Sequence, residues 1–210
     1  MTAAAGGNLS AYHYTTAVSH TDAYLMPTVL AEVARVGTPT RVFDLGCGNG
    51  ATAARLAAAG HRVGGVDPSA EGIAVANRLH PALPLRAGSC YDDLAAAYGR
   101  FPVVVSLEVV EHVFQPRAFA RCVHDLLEPG GTAVISTPYH GYLKNLLLAA
   151  TGKMDAHFTA LWDYGHIKFW SVRTLTALLA EAGLRVERVH RVGRVPVLAK
   201  SMVVVARRAA

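Results

Sequence analysis

Cysteine is scarce in this chain. The three cysteines, Cys47, Cys90 and Cys122, are odd in number and far apart. They suggest neither a disulfide framework nor a zinc site, and a reduced, cytoplasmic protein is expected. Long apolar runs are also missing, and none reaches the eighteen or so residues that span a bilayer. The N-terminus lacks a charged leader followed by an apolar core, so no signal peptide is expected. Histidine is plentiful, with ten residues, but no two stand at the His-x-x-x-His spacing that puts both imidazoles on one helix face. No metal is expected on that ground. Charge of one sign is not concentrated either. Sixteen arginines and four lysines face fifteen acids, giving a net charge of +5. Only Arg185, Arg188, Arg191 and Arg194 form a series, and a period of three fits no single strand face. A nucleic-acid footprint is clustered charge, so nucleic acid is not expected as a partner. Nothing in the pattern sets an oligomeric state.

What is present describes a folded α/β chain. Its 210 residues are 52% hydrophobic and 17% charged, enough for one domain with a sizeable core. Residues 1–18 read as an N-terminal tail or lid, with Met1 to Ser10 small, polar and disordered. Tyr12-His13-Tyr14 either covers a ligand or packs on the domain, which runs from 19 to 210. Leu25, Met26, Val29, Leu30 and Val33 recur at helical spacing. Arg41 to Leu45 is a strand, followed by a helix from Asn49 to Ala59 with Gly60 as its C-cap. Arg62 to Val66 is the second strand, and Ser69 caps a helix running to Leu79. Pro84 to Ala87 and Val103 to Leu107 are the third and fourth strands. The latter is apolar but for Ser106, as a strand covered on both faces should be. Pro116 opens a helix, which Pro129-Gly130-Gly131 stops. Thr132 to Ser136 is the fifth strand. Ser171 caps a helix with Leu175, Leu178, Leu179 and Ala182 on one face, ended by Gly183. Leu184 to Val192 and Ser201 to Ala206 form a closing antiparallel hairpin.

This alternation predicts a doubly wound, Rossmann-like sheet, mostly parallel, with helices on both faces. Ligands in such sheets bind beyond the carboxyl ends of the strands, near the switch point. Residues 139–170 break the pattern. The stretch is aromatic-rich and too long for a simple connection, so it is expected to form the acceptor side of a site there. Within it Tyr142 to Ala150 reads as a short amphipathic helix. Its Leu143 to Leu148 stripe either packs onto the domain or meets a membrane or lipid-like ligand as a peripheral contact.

The stretch Val42-Phe43-Asp44-Leu45-Gly46-Cys47-Gly48-Asn49-Gly50 combines a buried strand, a glycine turn and a helix start. Glycine admits positive φ and lets a ligand approach the backbone with no Cβ in the way. The helix that follows offers unpaired N–H groups at its positive end. Asp44, two residues before the first glycine, would repel a phosphate. It suits a ligand carrying an ammonium or sulfonium charge.

Asp44-Leu45-Gly46-Cys47-Gly48-Asn49-Gly50 resembles the first motif of class I S-adenosylmethionine (SAM)-dependent methyltransferases. Val63-Gly64-Gly65-Val66-Asp67-Pro68-Ser69 is similar to that family's second strand, which ends in an acid that holds the ribose hydroxyls. Val103 to His112, ending Glu108-Val109-Val110-Glu111-His112, resembles its fourth strand and following loop. The Glu-x-x-Glu-His ending, Ser136-Thr137-Pro138 and Gly165-His166-Ile167-Lys168-Phe169 are similar to the ubiquinone-biosynthesis O-methyltransferase type. The match covers roughly Thr40 to Lys168. It departs at Pro102, where an acid is frequent, and at Ser89, where an acid often follows the third-strand glycine.

The resemblance implies SAM as cofactor and a small-molecule acceptor, with methyl transfer to a hydroxyl oxygen. Asp44, Gly46, Gly48, Gly50, Asp67, Pro68 and Leu107 are then cofactor contacts. The adenine contact is left open among Ser89, Cys90, Tyr91 and Asp92. Asp44 and Asp67 could instead only cap the next turn, and Leu107 could be an ordinary core leucine. His112, at the binding edge, is the candidate general base or orienting group. Tyr14, Tyr139, His140, His166 and Lys168 are candidate acceptor contacts, and each histidine also has a purely structural reading. Two rivals stand beside this one. Gly46 to Ala51 formally fits the G-x-G-x-x-A of a nicotinamide-dependent oxidoreductase. A SAM-binding protein without transferase activity would carry the same motifs.

Overall fold

Strands form where β-branched and aromatic residues run together, and helices where apolar residues recur every three to four positions. The computed structural model describes residues 21–163 and 165–210. Tyr14, with the expected lid over residues 1–18, lies outside them.

Helix α1 (Asp22–Ala34) precedes strand β1 (Arg41–Leu45), α2 (Ala51–Ala58), β2 (Arg62–Asp67), α3 (Ala70–Leu79) and β3 (Leu85–Ala87). Then come α4 (Leu94–Tyr98), β4 (Phe101–Leu107), α5 (Pro116–Leu126) and β5 (Leu127–Pro138). Helices α6 (Tyr142–Ala150) and α7 (Met154–Phe158) fill the stretch before α8 (Val172–Glu181), β6 (Leu184–Val192) and β7 (Ser201–Arg208). The seven strands form one sheet in the order β3-β2-β1-β4-β5-β7-β6. Strands β1 to β5 pair in parallel. Strand β7 runs antiparallel between β5 and β6. The doubly wound sheet and C-terminal hairpin expected from the sequence are therefore both present.

The core lies in two layers. Leu25, Val29 and Val33 of α1, Leu56 of α2 and Ile73 of α3 pack on Val42, Val63, Val103, Val105 and Val134. On the other face Phe119 and Val123 of α5 and Leu175 and Leu179 of α8 pack on Phe43, Val104, Ile135 and Val204. Alternate strand residues feed alternate faces, which is why β4 is apolar but for Ser106, whose hydroxyl donates to Leu45 O at 2.7 Å. No helix among the described residues is long and apolar enough to cross a membrane.

Local signals act as read. Ser69 accepts a hydrogen bond from the Gly72 N–H at 3.0 Å. Ser171 and Thr174 form a reciprocal capping box, and Pro116 sits in the first turn of α5. Three details differ. Strand β5 begins at Leu127, so Pro129-Gly130-Gly131 interrupts a strand and does not stop a helix. Leu127 pairs with Phe101, and the ladder resumes at Val103 and Thr132. The irregularity at Pro102, which has no N–H to offer, absorbs the turn. The guanidinium of Arg208 then donates to the carbonyls of His124 and Leu127, at 3.0 and 2.7 Å, closing the helix end. Helices α4 and α7, five residues each, were not expected, because one turn carries no readable period.

Candidate active site

At the switch between β1 and β4, the glycine turn opens the site. Gly46, Gly48 and Gly50 have φ of +86°, +50° and +80°, values that a Cβ disfavours. A Cβ on Gly46 would also lie 2.4 Å from Val109 Cγ2. The Gly46 and Cys47 N–H groups donate to Val66 O at 2.8 and 3.0 Å, tying the turn to β2.

Asp67, at the end of β2, completes that tie. Its Oδ2 accepts from the Gly48 N–H at 2.9 Å and its Oδ1 from the Ser69 N–H at 2.8 Å. A carboxylate has about four acceptor sites, so each oxygen keeps one for a ligand. Burial raises the Asp67 carboxyl, with the two backbone donors acting against it. Asp44 is more isolated. It is buried, and its Oδ2 has no hydrogen-bond partner among the described residues. Burial, and then the charge of Asp67, push its carboxyl up to about 7. A buried carboxylate left without a donor is costly, and a cation supplied by a ligand would relieve that cost.

The loop after β3 closes one side. The Gly88 N–H donates to Asp67 O at 3.1 Å, and Asp92 Oδ2 accepts from the Ser89 N–H at 2.7 Å. Cys90 is buried, and burial pushes its thiol up to about 11. Tyr91 is exposed, with its hydroxyl accepting from the Gln115 N–H at 3.2 Å. Pro68 is exposed beside Asp67. Leu107 packs on the edge of the core with only part of its side chain covered.

The loop after β4 carries more chemistry than its motif announced. Glu108 has a φ of +55°, uncommon for any residue with a Cβ. Ser136 explains it: its carbonyl and hydroxyl both accept from the Glu108 N–H, at 3.1 and 3.0 Å, and its hydroxyl donates back to Glu108 Oε1 at 2.8 Å. Ser201 holds the other oxygen at 3.3 Å. Burial is the main reason that the Glu108 carboxyl rises to about 7. Glu111 is fully buried, and neither of its oxygens has a hydrogen-bond partner among the described residues. Burial, then the neighbouring Glu108 charge, drive its carboxyl well above the usual range.

His112 meets the aromatic insertion. Its Nδ1 lies 3.2 Å from Gly165 O, and its ring is 4.9 Å from that of His166. His166 Nε2 is 4.0 Å from Glu111 Oε1. Burial, then His112, press the His166 imidazole down to about 4. Glu111, His112 and His166 each place one ligand atom within 4.8 Å of the others, a donor set suited to a divalent cation. No His-x-x-x-His search could find it, because β4 and the insertion bring distant residues together. The clue available in the sequence was the pair of acids directly after an apolar strand.

The other predicted acceptor contacts are dispersed. The Ile167 and Lys168 N–H groups donate to Glu111 O at 2.9 and 3.0 Å, so Lys168 braces the loop through its backbone. His140 is buried, 5.7 Å from a stacked Phe158 ring and 5.1 Å from Phe169. Burial, then Lys144, push its imidazole down to about 4. Tyr139 belongs to the core, with Arg191 over its ring at 5.2 Å. Helix α6 does not pack as an amphipathic core helix would. None of its residues is buried, and Leu146 is 64% exposed. Lys144 helps to attach it, its ammonium donating to the carbonyls of Tyr139 and Ala199 at 2.8 and 3.1 Å.

Comparison with known proteins agrees with this architecture. The family model described as a methyltransferase domain matches residues 18–189. A ubiquinone biosynthesis O-methyltransferase of Cereibacter sphaeroides is 36% identical over 153 residues, covering 69% of this chain and 60% of its own length. The mitochondrial ubiquinone biosynthesis O-methyltransferase of Rattus norvegicus is 31% identical over 156 residues, covering 71% of this chain and 45% of its own. The chain thus spans about half to three-fifths of these relatives. Among solved structures, a magnesium protoporphyrin IX methyltransferase from Synechocystis with bound SAH superposes with a TM-score of 0.65 at 20% identity, covering 87% of this chain and 81% of that one. A methyltransferase-like protein from Bacillus halodurans reaches 0.68 at 15% identity, covering 87% and 98%. The chain belongs to the methyltransferase-domain family.

Proposed function

We propose that this chain is a SAM-dependent methyltransferase acting on a hydroxyl oxygen of a small-molecule acceptor. One observation carries the cofactor assignment: the buried, unpartnered Asp44 oxygen beside a glycine turn already braced by Asp67. That pair fits a ligand with one cationic group and two neighbouring hydroxyls, and it does not fit a diphosphate. Bound SAM would supply an electrophilic methyl group on a sulfonium. Asp44 attracts the cationic tail, and the remaining acceptor sites of Asp67 take the ribose hydroxyls. Gly46 to Gly50 line the sugar. Ser89 to Asp92, with Cys90 and Tyr91 among them, border the adenine.

On the acceptor side, donation from His112 Nδ1 to Gly165 O leaves the neutral ring's lone pair on Nε2. His112 takes the hydroxyl proton there as base, or orients the hydroxyl. His166 and the insertion 139–170 form the acceptor wall, with His140 and Lys168 supporting it from behind. The uncovered apolar face of α6 favours an acceptor with an apolar tail, or a peripheral lipid surface. The free thiols, Cys47 and Cys90 buried and Cys122 half-buried, accord with a reduced, cytoplasmic setting.

Transfer of a labelled methyl group from SAM to a panel of phenols and catechols, with and without alkyl tails, tests the proposal. An O-methyl product supports it. SAM binding without turnover across the panel would favour a binding protein, and tight NADH binding would favour the oxidoreductase. His112→Ala should lower kcat by about a hundred- to ten-thousand-fold, the range for a positioned base, with SAM affinity nearly unchanged. The cluster of Glu111, His112 and His166 favours a second reading, in which a divalent cation held there lowers the hydroxyl's pKa. Loss of activity on chelation, restored by added magnesium or zinc, would select it.

A further inference from the structure

A parallel sheet is normally covered on both faces, yet part of this one is open. Helix α4 is a single turn, and beside it a groove of about 580 Å³ runs over the starts of β1, β2 and β4. This is the opposite end of the strands from the glycine turn. Gly64 lies on the groove floor, half-exposed. Phe43, Tyr98 and Phe101 form one wall, with ring centroids 5.0–5.4 Å apart. Leu83 and Pro84 form the other.

The two adjacent glycines of β2 differ in a way that matters. Gly65 is required by the fold, because a Cβ there would lie 2.5 Å from Asp44 O. Gly64 is not. Its φ is ordinary, and the nearest atom to a Cβ, Pro84 Cγ, would be at 3.4 Å, an unstrained contact. Glycine inside a strand costs stability, and it commonly marks a place where another backbone or a ligand approaches closely. Among the described residues only Pro84 comes within 4 Å of that position.

The groove is also charged on one side of neutrality. Arg41, Arg62 and Arg86 line it together with His61, and no Asp or Glu does. Arg41 is paired with Glu128 at 2.6 Å. Arg62 and Arg86 are exposed and have no ion-pair partner among the described residues. A second copy of a chain with net charge +5 would meet this rim unfavourably. Residues 1–20 contain no Asp or Glu to satisfy it.

We infer that this groove docks an extended, acidic segment of a partner protein, whose carboxylates meet Arg62 and Arg86 and whose apolar side chain lies over Gly64. The probe is a fluorescein-labelled peptide, Glu-Asp-Leu-Phe-Glu-Asp, with Lys-Lys-Leu-Phe-Lys-Lys and Glu-Asp-Ser-Ser-Glu-Asp as controls. Binding is read by fluorescence polarisation at low and physiological salt. The acidic apolar peptide should bind at least tenfold more tightly than either control. Arg62→Glu with Arg86→Glu should abolish that preference, and Gly64→Leu should weaken binding at least tenfold. SAM affinity should not move in any variant. The surface charge variants keep the test valid if Gly64→Leu fails to fold. Three results would overturn the inference: no preference for the acidic apolar peptide, binding that survives the charge reversal, or a dimer in sedimentation that Arg62→Glu with Arg86→Glu dissociates. Preferential binding of single-stranded RNA, lost in the same variants, would reassign the groove to nucleic acid.

Discussion

Asp44 and Asp67 are both buried beside the same turn, and their hydrogen bonding separates their roles. Asp67 is satisfied by two backbone donors, so it shapes the turn even without a ligand. Its replacement by Ala should weaken SAM binding by about 1.5–3 kcal/mol, the scale for hydrogen bonds to a charged group. Calorimetric titration measures this, and an unchanged affinity would leave Asp67 with the turn alone. Asp44 predicts a pH effect. With its carboxyl near 7 in the unliganded protein, a bound cation should pull that value down and release a proton. SAM affinity should therefore tighten as pH rises from 6 to 8, and level off above. Proton release at pH 6, measured by calorimetry in two buffers of different ionisation enthalpy, checks it. Asp44→Asn should remove the release. At this scale the sequence showed the acids and glycines, because their chemistry is local. It did not show that Glu111, His112 and His166 converge, because that contact depends on how a long insertion returns to β4.

Among the elements, the most unusual is α6, a helix with an apolar stripe and no buried residue. Apolar stripes at helical spacing ordinarily face a core, and the absence of any buried residue in α6 is the observation behind the proposed lipid-like surface or acceptor. Leu143→Glu with Leu146→Glu should reduce co-sedimentation with anionic lipid vesicles by about tenfold or more. Stability should shift by about 0.5 kcal/mol or less, as for other exposed sites. Equal vesicle binding by both proteins would count against a membrane role. The limits of α6, and those of β1 and β6, could be read from the chain because long periodic or β-branched runs mark their type. Strand β5 was expected at Thr132 to Ser136, within its observed span, but its start was set too late for a physical reason. Pro-Gly-Gly is the same signal whether it ends a helix or interrupts a strand, and only pairing with Phe101 decides between them.

Over the whole molecule, one buried carboxylate joins the first helix to the last-placed edge of the sheet. Glu32 of α1 is 2% exposed and pairs with Arg188 at 2.8 Å and His190 at 2.9 Å, both on β6. Burial alone would raise its carboxyl, but Arg188, then His190, outweigh it and hold Glu32 below the usual range. A depressed carboxyl contributes stability above its unfolded pKa of about 4.3 and loses it as pH falls further. Glu32→Gln should therefore cost about 1.5 kcal/mol at pH 7, the low end for hydrogen bonds to charged groups, because the Arg188 and His190 side chains left behind are partly exposed to water. The difference from the parent chain should shrink between pH 4.5 and 3. Urea midpoints across that range measure it. The mostly parallel sheet with helices on both faces was legible from the alternating periods, whereas its strand order and this brace were not, since an acid on an apolar helix carries no record of its partner.

Strand β7 has a further consequence. It follows β6 in the chain, yet lies inside it, so β6 has no other strand to hold it. If β7 leaves, β6 loses its ladder and β5 keeps only the one with β4, and β6 and α8 are left attached by packing and the Glu32 brace. Amide exchange should show β6 and β7 opening as one unit, with the inner strand no better protected than the outer one beyond what the global unfolding free energy sets. Strands β1 and β4, paired on both sides within the parallel part, should exchange independently of that event. Ser201, the first residue of β7, holds one oxygen of Glu108, so the active-site loop would share in the breathing of the hairpin.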